Sequence, residues 1–304
     1  MALKIAYICL CHLDPKFIAR AAKALQYEQD GFFVHVDNKV DIEPFISACA
    51  GLDNVHFVED RIDNYWGGFH STIATIRTIK FALSKDNYDR FVILQGQDYP
   101  LFSPKHIHEF FEKYKDTEFC KAKNISISPN KRDYMKCCGY WMMDGKPNFF
   151  QKCLRVFLVK LNKTGIKYRK ATFKNGKEKW NIYHGKAHIA LTRDCVNYVL
   201  NVYENNRAYN KYVKHRFPPD EMYIHTIIHN SHFKDKVCKE IIIDRFGKET
   251  LFNLTYLEYP VYATVFRDKE DYQWLKNMGC LFVRKVNSTS GELLDEIDKH
   301  ILSD

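Results

Sequence analysis

The feature that most constrains this chain is the alternation, over its first hundred residues, of short apolar runs with amphipathic ones. KIAYICLC is a continuous apolar run of strand length. It feeds DPKFIARAAKALQ, where Asp14 suits the N-cap, Pro15 the first helical position, and Phe17, Ile18, Ala21, Ala22 and Leu25 recur at helical spacing. GFFVHVD and VHFVED read as second and third strands, GFHSTIATIRTIKFAL as a helix with Ile73, Ile76, Ile79 and Leu83 on one face, and FVILQGQD as a fourth strand. Alternating strands and helices predict an α/β fold with a doubly wound, largely parallel sheet flanked by helices. Such sheets bind ligands beyond the carboxyl ends of their strands, which marks His12, Asp37, Trp66 and Asp98 as the residues to inspect.

After about residue 120 the pattern loosens. The stretch KLNKTGIKYRKATFKNGKEKW, residues 160–180, carries eight basic residues against one acid and reads as a solvated loop. Strand-helix alternation resumes with KAHIALTRDCVNYVLNVY, and a last short unit holds EDYQWLKNMGCLFVRKV and a polar helix. A net charge of +9 favours anionic partners: nucleic acid, a membrane surface or a phosphate-bearing small molecule. The ten cysteines show no C-x-x-C and several sit inside apolar runs, as expected of reduced thiols in a cytosolic protein. MALKIAYICLCH predicts a buried first strand, not a signal peptide, and no apolar run approaches the roughly 18 residues of a membrane-spanning helix. Any membrane contact is therefore expected to be peripheral.

Several chemistries are disfavoured by what the turns lack. The turn after the first strand, CHLDPKF, has no glycine, so the G-x-G-x-x-G dinucleotide fingerprint is absent, and no G-x-x-x-x-G-K-[ST] or G-x-S-x-G occurs. Glu221, His225 and His229 recur every four residues, with His184 and His188 as a second such pair. Isoleucines 224, 227 and 228 make their helix half-buried, so packed or hydrogen-bonded histidines are expected there and no metal. The carboxylates remain. In RFPPDEMYIHTII, Asp220 and Glu221 follow Pro218 and Pro219 at the head of an apolar run. One acid can cap the first turn while the other projects elsewhere, or both simply complement the helix dipole.

YWGGFH, LQGQDYPLFSP and PPDEMYIHTII, with GKAHIALTRDCVNYVL and DYQWLKNMGCLFVRKV, form five ordered segments between residues 65 and 286. In them the chain resembles the core-2/I-branching β-1,6-N-acetylglucosaminyltransferases and peptide O-xylosyltransferases. The resemblance implies a GT-A-like α/β fold with a doubly wound mixed sheet flanked by helices. It implies one domain, 1–304, with a nucleotide-sugar-binding half at 1–120 and an acceptor-binding and catalytic half at 121–304. It also implies inverting transfer of GlcNAc or xylose from a UDP-sugar to a hydroxyl of a glycan or glycoconjugate. Most GT-A enzymes hold a cation with D-x-D; this chain has no D-x-D, and the family resemblance implies no metal and no cofactor.

Residue by residue, the resemblance places Glu221 as the catalytic base and Lys285 of FVRKV at the donor diphosphate. The family's diphosphate arginine falls at Val261 or Tyr262 here, which leaves Arg267 or Arg284 to substitute. Asp37 matches the uridine-contacting aspartate, Leu10 lies where uracil is contacted, His12 ends the first strand beside it, and Trp66 takes the aromatic position beside the donor. Gly67 and Gly68 would let backbone approach that ligand. Asp98, Lys131, Arg132 and Tyr256 lie where branching enzymes contact acceptor sugars, with Tyr256 in place of a tryptophan, and Asp220 supports either the helix start or the acceptor site. The expected protein is a soluble, bacterial-type, cytoplasmic member, peripheral to the inner face of the membrane, with a lipid-linked acceptor within reach of its basic segment. Two rival readings are a basic, aromatic-rich nucleic-acid-binding protein and an inactive sugar-nucleotide-binding relative. The first lacks any RRM, KH or zinc-finger signature, so no nucleic acid and no obligate protein partner is expected.

Overall fold

The computed structural model describes residues 3–128, 130–164, 169–247, 249–250, 254–258 and 265–302. The first hundred residues form the expected alternation: β1 (Ile5–Cys11), α1 (Pro15–Ala24), β2 (Gly31–Val36), α2 (Glu43–Ala48), β3 (Val55–Phe57), α3 (His70–Lys85) and β4 (Arg90–Gln95). Asp14 caps α1 by accepting from the Phe17 N–H at 3.2 Å, with Pro15 at the start of the helix. On α3, Ile76 and Ile79 are buried as expected, whereas Ile73 and Leu83 are only partly covered and small residues, Ala74, Thr78 and Ala82, complete the inner face.

There follow β5 (Asp98–Pro100), α4 (Pro104–Lys113), β6 (Ala122–Asn124), α5 (Lys131–Cys138), α6 (Phe149–Lys163), β7 (Thr172–Asn175), β8 (Glu178–Asn181), β9 (Tyr183–Gly185) and β10 (Ala190–Thr192). Then come α7 (Arg193–Asn205), α8 (Arg207–Lys214), a 3₁₀ turn at Pro219–Glu221, α9 (Tyr223–His229), a second 3₁₀ turn at His232–Lys236, β11 (Thr255–Leu257), α10 (Asp271–Asn277), β12 (Phe282–Arg284) and α11 (Gly291–Ile301). Residues 160–180 are not the loop expected. Their described part is the end of α6 and the antiparallel β7–β8 hairpin, which turns at Gly176-Lys177 with Gly176 at φ 61°. Phe173 and Trp180 anchor that hairpin on Tyr209, each ring 5.3 Å from it. Gly176, free to take positive φ, was the local signal for the turn, masked by the surrounding lysines.

The main sheet has the order β10-β4-β1-β2-β3; the last four are parallel, and β10 runs antiparallel to β4. Its mixed, helix-flanked architecture is consistent with the GT-A-like fold. Alternation along β1 shows how both faces are filled. Ile5, Tyr7, Cys9 and Cys11 join a core with Phe17 and Ile18 of α1 and Leu293 of α11, while Ala6 and Ile8 join Ile76 of α3, Val196 of α7 and Ile227 of α9. A strand buried on both sides has to be apolar throughout, which is why KIAYICLC shows no polar alternation. A second sheet, β11-β12-β5, sets Arg284 of β12 opposite Asp98 of β5 and so brings the C-terminal segment to the end of β4. No described helix is long and apolar enough to cross a membrane.

Candidate active site

Four segments meet at the carboxyl ends of the central strands. The Asp37 N–H donates to the Cys11 carbonyl (2.8 Å), the Gly96 N–H to that of Leu10 (2.8 Å), and the Val286 N–H to that of Gln97 (3.1 Å). Ser288 then donates from its N–H (2.8 Å) and hydroxyl (2.5 Å) to the carboxylate of Asp14. Leu10 is buried and His12 exposed in this neighbourhood. Asp37 is buried, but the Lys39 ammonium (2.8 Å) and the N–H groups of Lys39 (3.0 Å) and Asn64 (3.2 Å) outweigh desolvation and hold its carboxyl below the usual range. Lys285 is half-buried, its ammonium disfavoured by burial and by Arg284 beside it, and it has no ion-pair partner among the described residues. Arg267 is exposed and donates to Thr289 (3.2 Å) in the same C-terminal segment. Val261 and Tyr262 lie outside the described residues.

Asp98 and Arg284 are brought together, but with each other. The Asp98 side chain has no exposed surface; it accepts from the Gln95 N–H (2.8 Å) and from Arg284 (2.8 Å) and lies 3.3 Å from His188 Nε2. Burial would raise its pKa, and the charges of His188 and Arg284 reverse that. Tyr256 is also inside. The residue has 0% exposure, its ring packs against Phe266 and Trp274 and its hydroxyl donates to Glu258 (3.2 Å), so the stacking face expected for a sugar is a core face instead. Lys131 and Arg132 are exposed in the first turn of α5, which Asn130 caps through the Arg132 N–H (2.9 Å).

Trp66 is 81% exposed, its edge on the Phe217 ring 4.9 Å away, and Trp141 lies on the same ring at 5.2 Å. The two glycines beside it make room for protein groups. At Gly67, φ 69°, a Cβ would come within 2.1 Å of Phe217, and at Gly68 within 2.1 Å of the Asp144 carboxylate. That carboxylate caps α3 from a distance, accepting from the Phe69 (3.0 Å) and His70 (3.1 Å) N–H groups.

Phe217 leads into Pro218, Pro219 and the 3₁₀ turn that carries the two acids. The Glu221 carboxylate lies 3.0 Å from His184 Nε2 and 3.5 Å from Lys136 Nζ. Burial alone would raise its pKa; the hydrogen bond and charge of His184, with Lys136 and Lys186, hold it down to about 2. His184 comes from β9, and β9 approaches α9 so closely that a Cβ on Gly185 would sit 2.5 Å from the His225 ring. Asp220 lines a small pocket with Thr72 and Thr75 of α3 and Gln95 of β4 and accepts from the adjacent Glu221 N–H (3.1 Å). Burial, then the charge of Glu221, push its carboxyl up to about 7.

A raised acid in the folded state binds its proton more tightly than in the unfolded chain, so its stabilising contribution is intact below the unfolded value and lost as pH rises towards 7. Asp220→Asn is therefore expected to match wild type in urea melts at or below about pH 4 and to exceed it by about 1–3 kcal/mol at pH 8, after discounting for partial solvation. Equal stability of the two proteins at pH 8 would contradict this burial.

Among the described residues, one group of side chains capable of holding a metal comes together: Cys120, His225 and His229, with ligand atoms within 4.8 Å. The rings face carbonyls, however. His225 lies 3.1 Å from the Cys120 oxygen and 2.8 Å from that of Lys186, and His229 lies 3.1 Å from the Cys120 oxygen, while burial raises the Cys120 thiol well above its usual value. These are hydrogen-bonded histidines that dock α9 on the segments beside β6 and β9, and Glu221 pairs with His184 instead.

A model of the Core-2/I-branching enzyme family matches residues 5–246. The chain belongs to that family. Xylosyltransferase 2 of Homo sapiens is 25% identical over 236 residues, which is 75% of this chain and 25% of the human protein. Xylosyltransferase 2 of Bos taurus is 27% identical over 124 residues (39% of this chain, 14% of the bovine protein), and xylosyltransferase 1 of Rattus norvegicus 23% over 124 residues (39% and 15%). The chain thus spans a quarter or less of the length of these curated relatives.

This member of the Core-2/I-branching family surrounds its PDE turn with groups that sequence reasoning did not assign. Lys136 follows Arg132 by four residues on α5, a spacing that marks a shared face. The sequence shows His184 and His188 as a pair of packed or hydrogen-bonded histidines without saying what they face; the structure gives one to Glu221 and the other to Asp98. Only the pairing of β9 with β6 and of β10 with β4 makes that division, and neither three-residue strand has a periodic signal.

Proposed function

We propose that this protein is an inverting, metal-independent glycosyltransferase that moves a sugar, GlcNAc or xylose, from a UDP-sugar to a hydroxyl of a glycan or glycoconjugate, with Glu221 as general base. The observation that carries the reading is the segment His184–His188, which holds one histidine against Glu221 and one against the Asp98–Arg284 pair next to Lys285. A fixed carboxylate and a half-buried ammonium with no ion-pair partner among the described residues are thereby tied to one short piece of backbone.

In such a transfer the acceptor oxygen attacks the anomeric carbon, the bond from that carbon to the diphosphate oxygen breaks, and the hydroxyl proton passes to a carboxylate. Glu221 stays ionised at all physiological pH and is always able to take that proton; the hydroxyl becomes acidic as its oxygen bonds to carbon, so a weakly basic carboxylate in place suffices. Lys285 neutralises the departing diphosphate, assisted by Arg267 or Arg284, the role a cation takes where a D-x-D is present. Leu10, His12 and Asp37 contact the nucleoside, Trp66 offers its exposed ring to the sugar, and Arg132 and Lys131 line the acceptor side.

UDP titrated calorimetrically into the protein in excess EDTA tests the donor half. Binding is expected without added metal, and Lys285→Ala is expected to weaken it by about 1–3 kcal/mol, the scale of a charge-assisted hydrogen bond. An isotherm that appears only with Mn²⁺ overturns the metal-free reading, and unchanged affinity in the variant removes Lys285 from the diphosphate.

A further inference from the structure

Helix α6 is turned inside out. Its outward side carries Phe149 (73% exposed), Phe150 (81%), Leu154, Val156 and Phe157 (60%), with Cys153 between them, whereas its one buried residue is Asn162. Residues 149, 150, 153, 154, 156 and 157 fall within one broad stripe of a 3.6-residue helix, so the apolar face is continuous. Polar groups fasten the helix to the body. The Asn162 side chain accepts from the Tyr140 N–H (3.2 Å) and donates to the Tyr140 carbonyl (3.1 Å), and Arg155 donates to the carbonyls of Asp144 (3.1 Å) and Gly145 (3.0 Å). A capping box at Asn148 and Gln151 fixes where the helix begins. A helix on a soluble surface normally buries its apolar stripe; one that buries Asn162 and presents three phenylalanines marks an interaction face.

Charge selects the occupant. From Gly145 to Lys177 the sequence has ten Lys or Arg residues and no Asp or Glu. Two copies of this chain meeting through α6 would bring the exposed Lys152, Lys160 and Lys163 of each together, at an electrostatic cost. An anionic lipid surface supplies both an apolar layer for the rings and acidic headgroups for the lysines, the combination that holds basic amphipathic helices in the interface plane. We propose that α6 docks this protein on an anionic phospholipid surface, with Phe149, Phe150, Val156 and Phe157 entering the interface and Lys152, Lys160 and Lys163 meeting headgroups. The inference does not depend on sugar transfer.

Flotation of the full chain with phosphatidylcholine vesicles, with and without phosphatidylglycerol, tests it. We expect binding only where phosphatidylglycerol is present, weakened by added salt. The triple variant Phe149→Ser, Phe150→Ser, Phe157→Ser is expected to lose at least about tenfold in vesicle affinity with an unchanged thermal melt, since the replaced rings are exposed. Lys152→Glu with Lys160→Glu should lose binding as well. Absence of binding to phosphatidylglycerol vesicles at low salt, or equal binding by the triple variant, overturns the proposal. So does a wild-type dimer in sedimentation that the triple variant converts to monomer, which would make α6 a contact between copies.

Discussion

Glu221→Gln is expected to lower kcat for sugar transfer by about 10²–10⁴-fold while changing UDP affinity by less than about threefold. The amide keeps the side chain's shape and can still face His184 and Lys136, but it cannot accept the hydroxyl proton. Interpretation depends on the neighbouring acid, because Asp220 is the more basic of the two, at about 7 against about 2 for Glu221. Basicity alone would choose Asp220. Position chooses Glu221: its carboxylate lies among His184, Lys136 and Lys186, whereas Asp220 lines the small pocket with Thr72, Thr75 and Gln95. Asp220→Asn measured in parallel decides between them. A general base has to reach the proton before its pKa matters, so Asp220→Asn should retain at least about a tenth of wild-type kcat. If the asparagine variant loses activity and Glu221→Gln keeps it, the roles are reversed; if both keep it, the two acids serve only the turn and the mechanism is wrong.

The strands β1, β2 and β4 were legible because burial on both faces leaves a run of apolar residues that no surface segment can carry. The first helix was legible because Asp14 and Pro15 are local signals. The PDE turn was legible as a motif, but its surroundings were not. His184, Lys136 and Lys186 reach Glu221 from elements separated from it by tens of residues, and nothing local distinguishes a lysine that pairs with a site carboxylate from one in water. Tyr256 shows the converse limit: aromatic residues suit both stacking on a sugar and packing in a core, and burial against Trp274 decided it. Asp144 is the most remote case, since a helix N-cap is expected next to the helix it serves, while α3 takes its cap from a residue 74 and 75 positions away.

Asp98→Ala is expected to destabilise the fold by about 3–5 kcal/mol, the cost of leaving a buried partner charge uncompensated. The sequence resemblance placed Asp98 among acceptor contacts; in the structure its carboxylate is enclosed by Gln95, Arg284 and His188. Removing it strands the Arg284 guanidinium, whose side chain is only 16% exposed, and loosens the pairing of β5 with β12 that carries Lys285 to the ends of the central strands. UDP affinity should therefore fall together with stability. The pH dependence has a definite sign. Because the Asp98 carboxyl is held below its ordinary value in the fold, its contribution is present above the ordinary carboxylate pKa and lost as pH falls through the lower folded value. Asp98→Ala should consequently cost most near neutrality and converge on wild type in acid. Truncating both partners separates an anchor from a ligand contact: Asp98→Ala with Arg284→Met should recover most of the lost stability, since the uncompensated charge is gone. A single Asp98→Ala protein within about 1 kcal/mol of wild type, the worth of an exposed pair, with a raised KM for acceptor alone, would return Asp98 to the acceptor site.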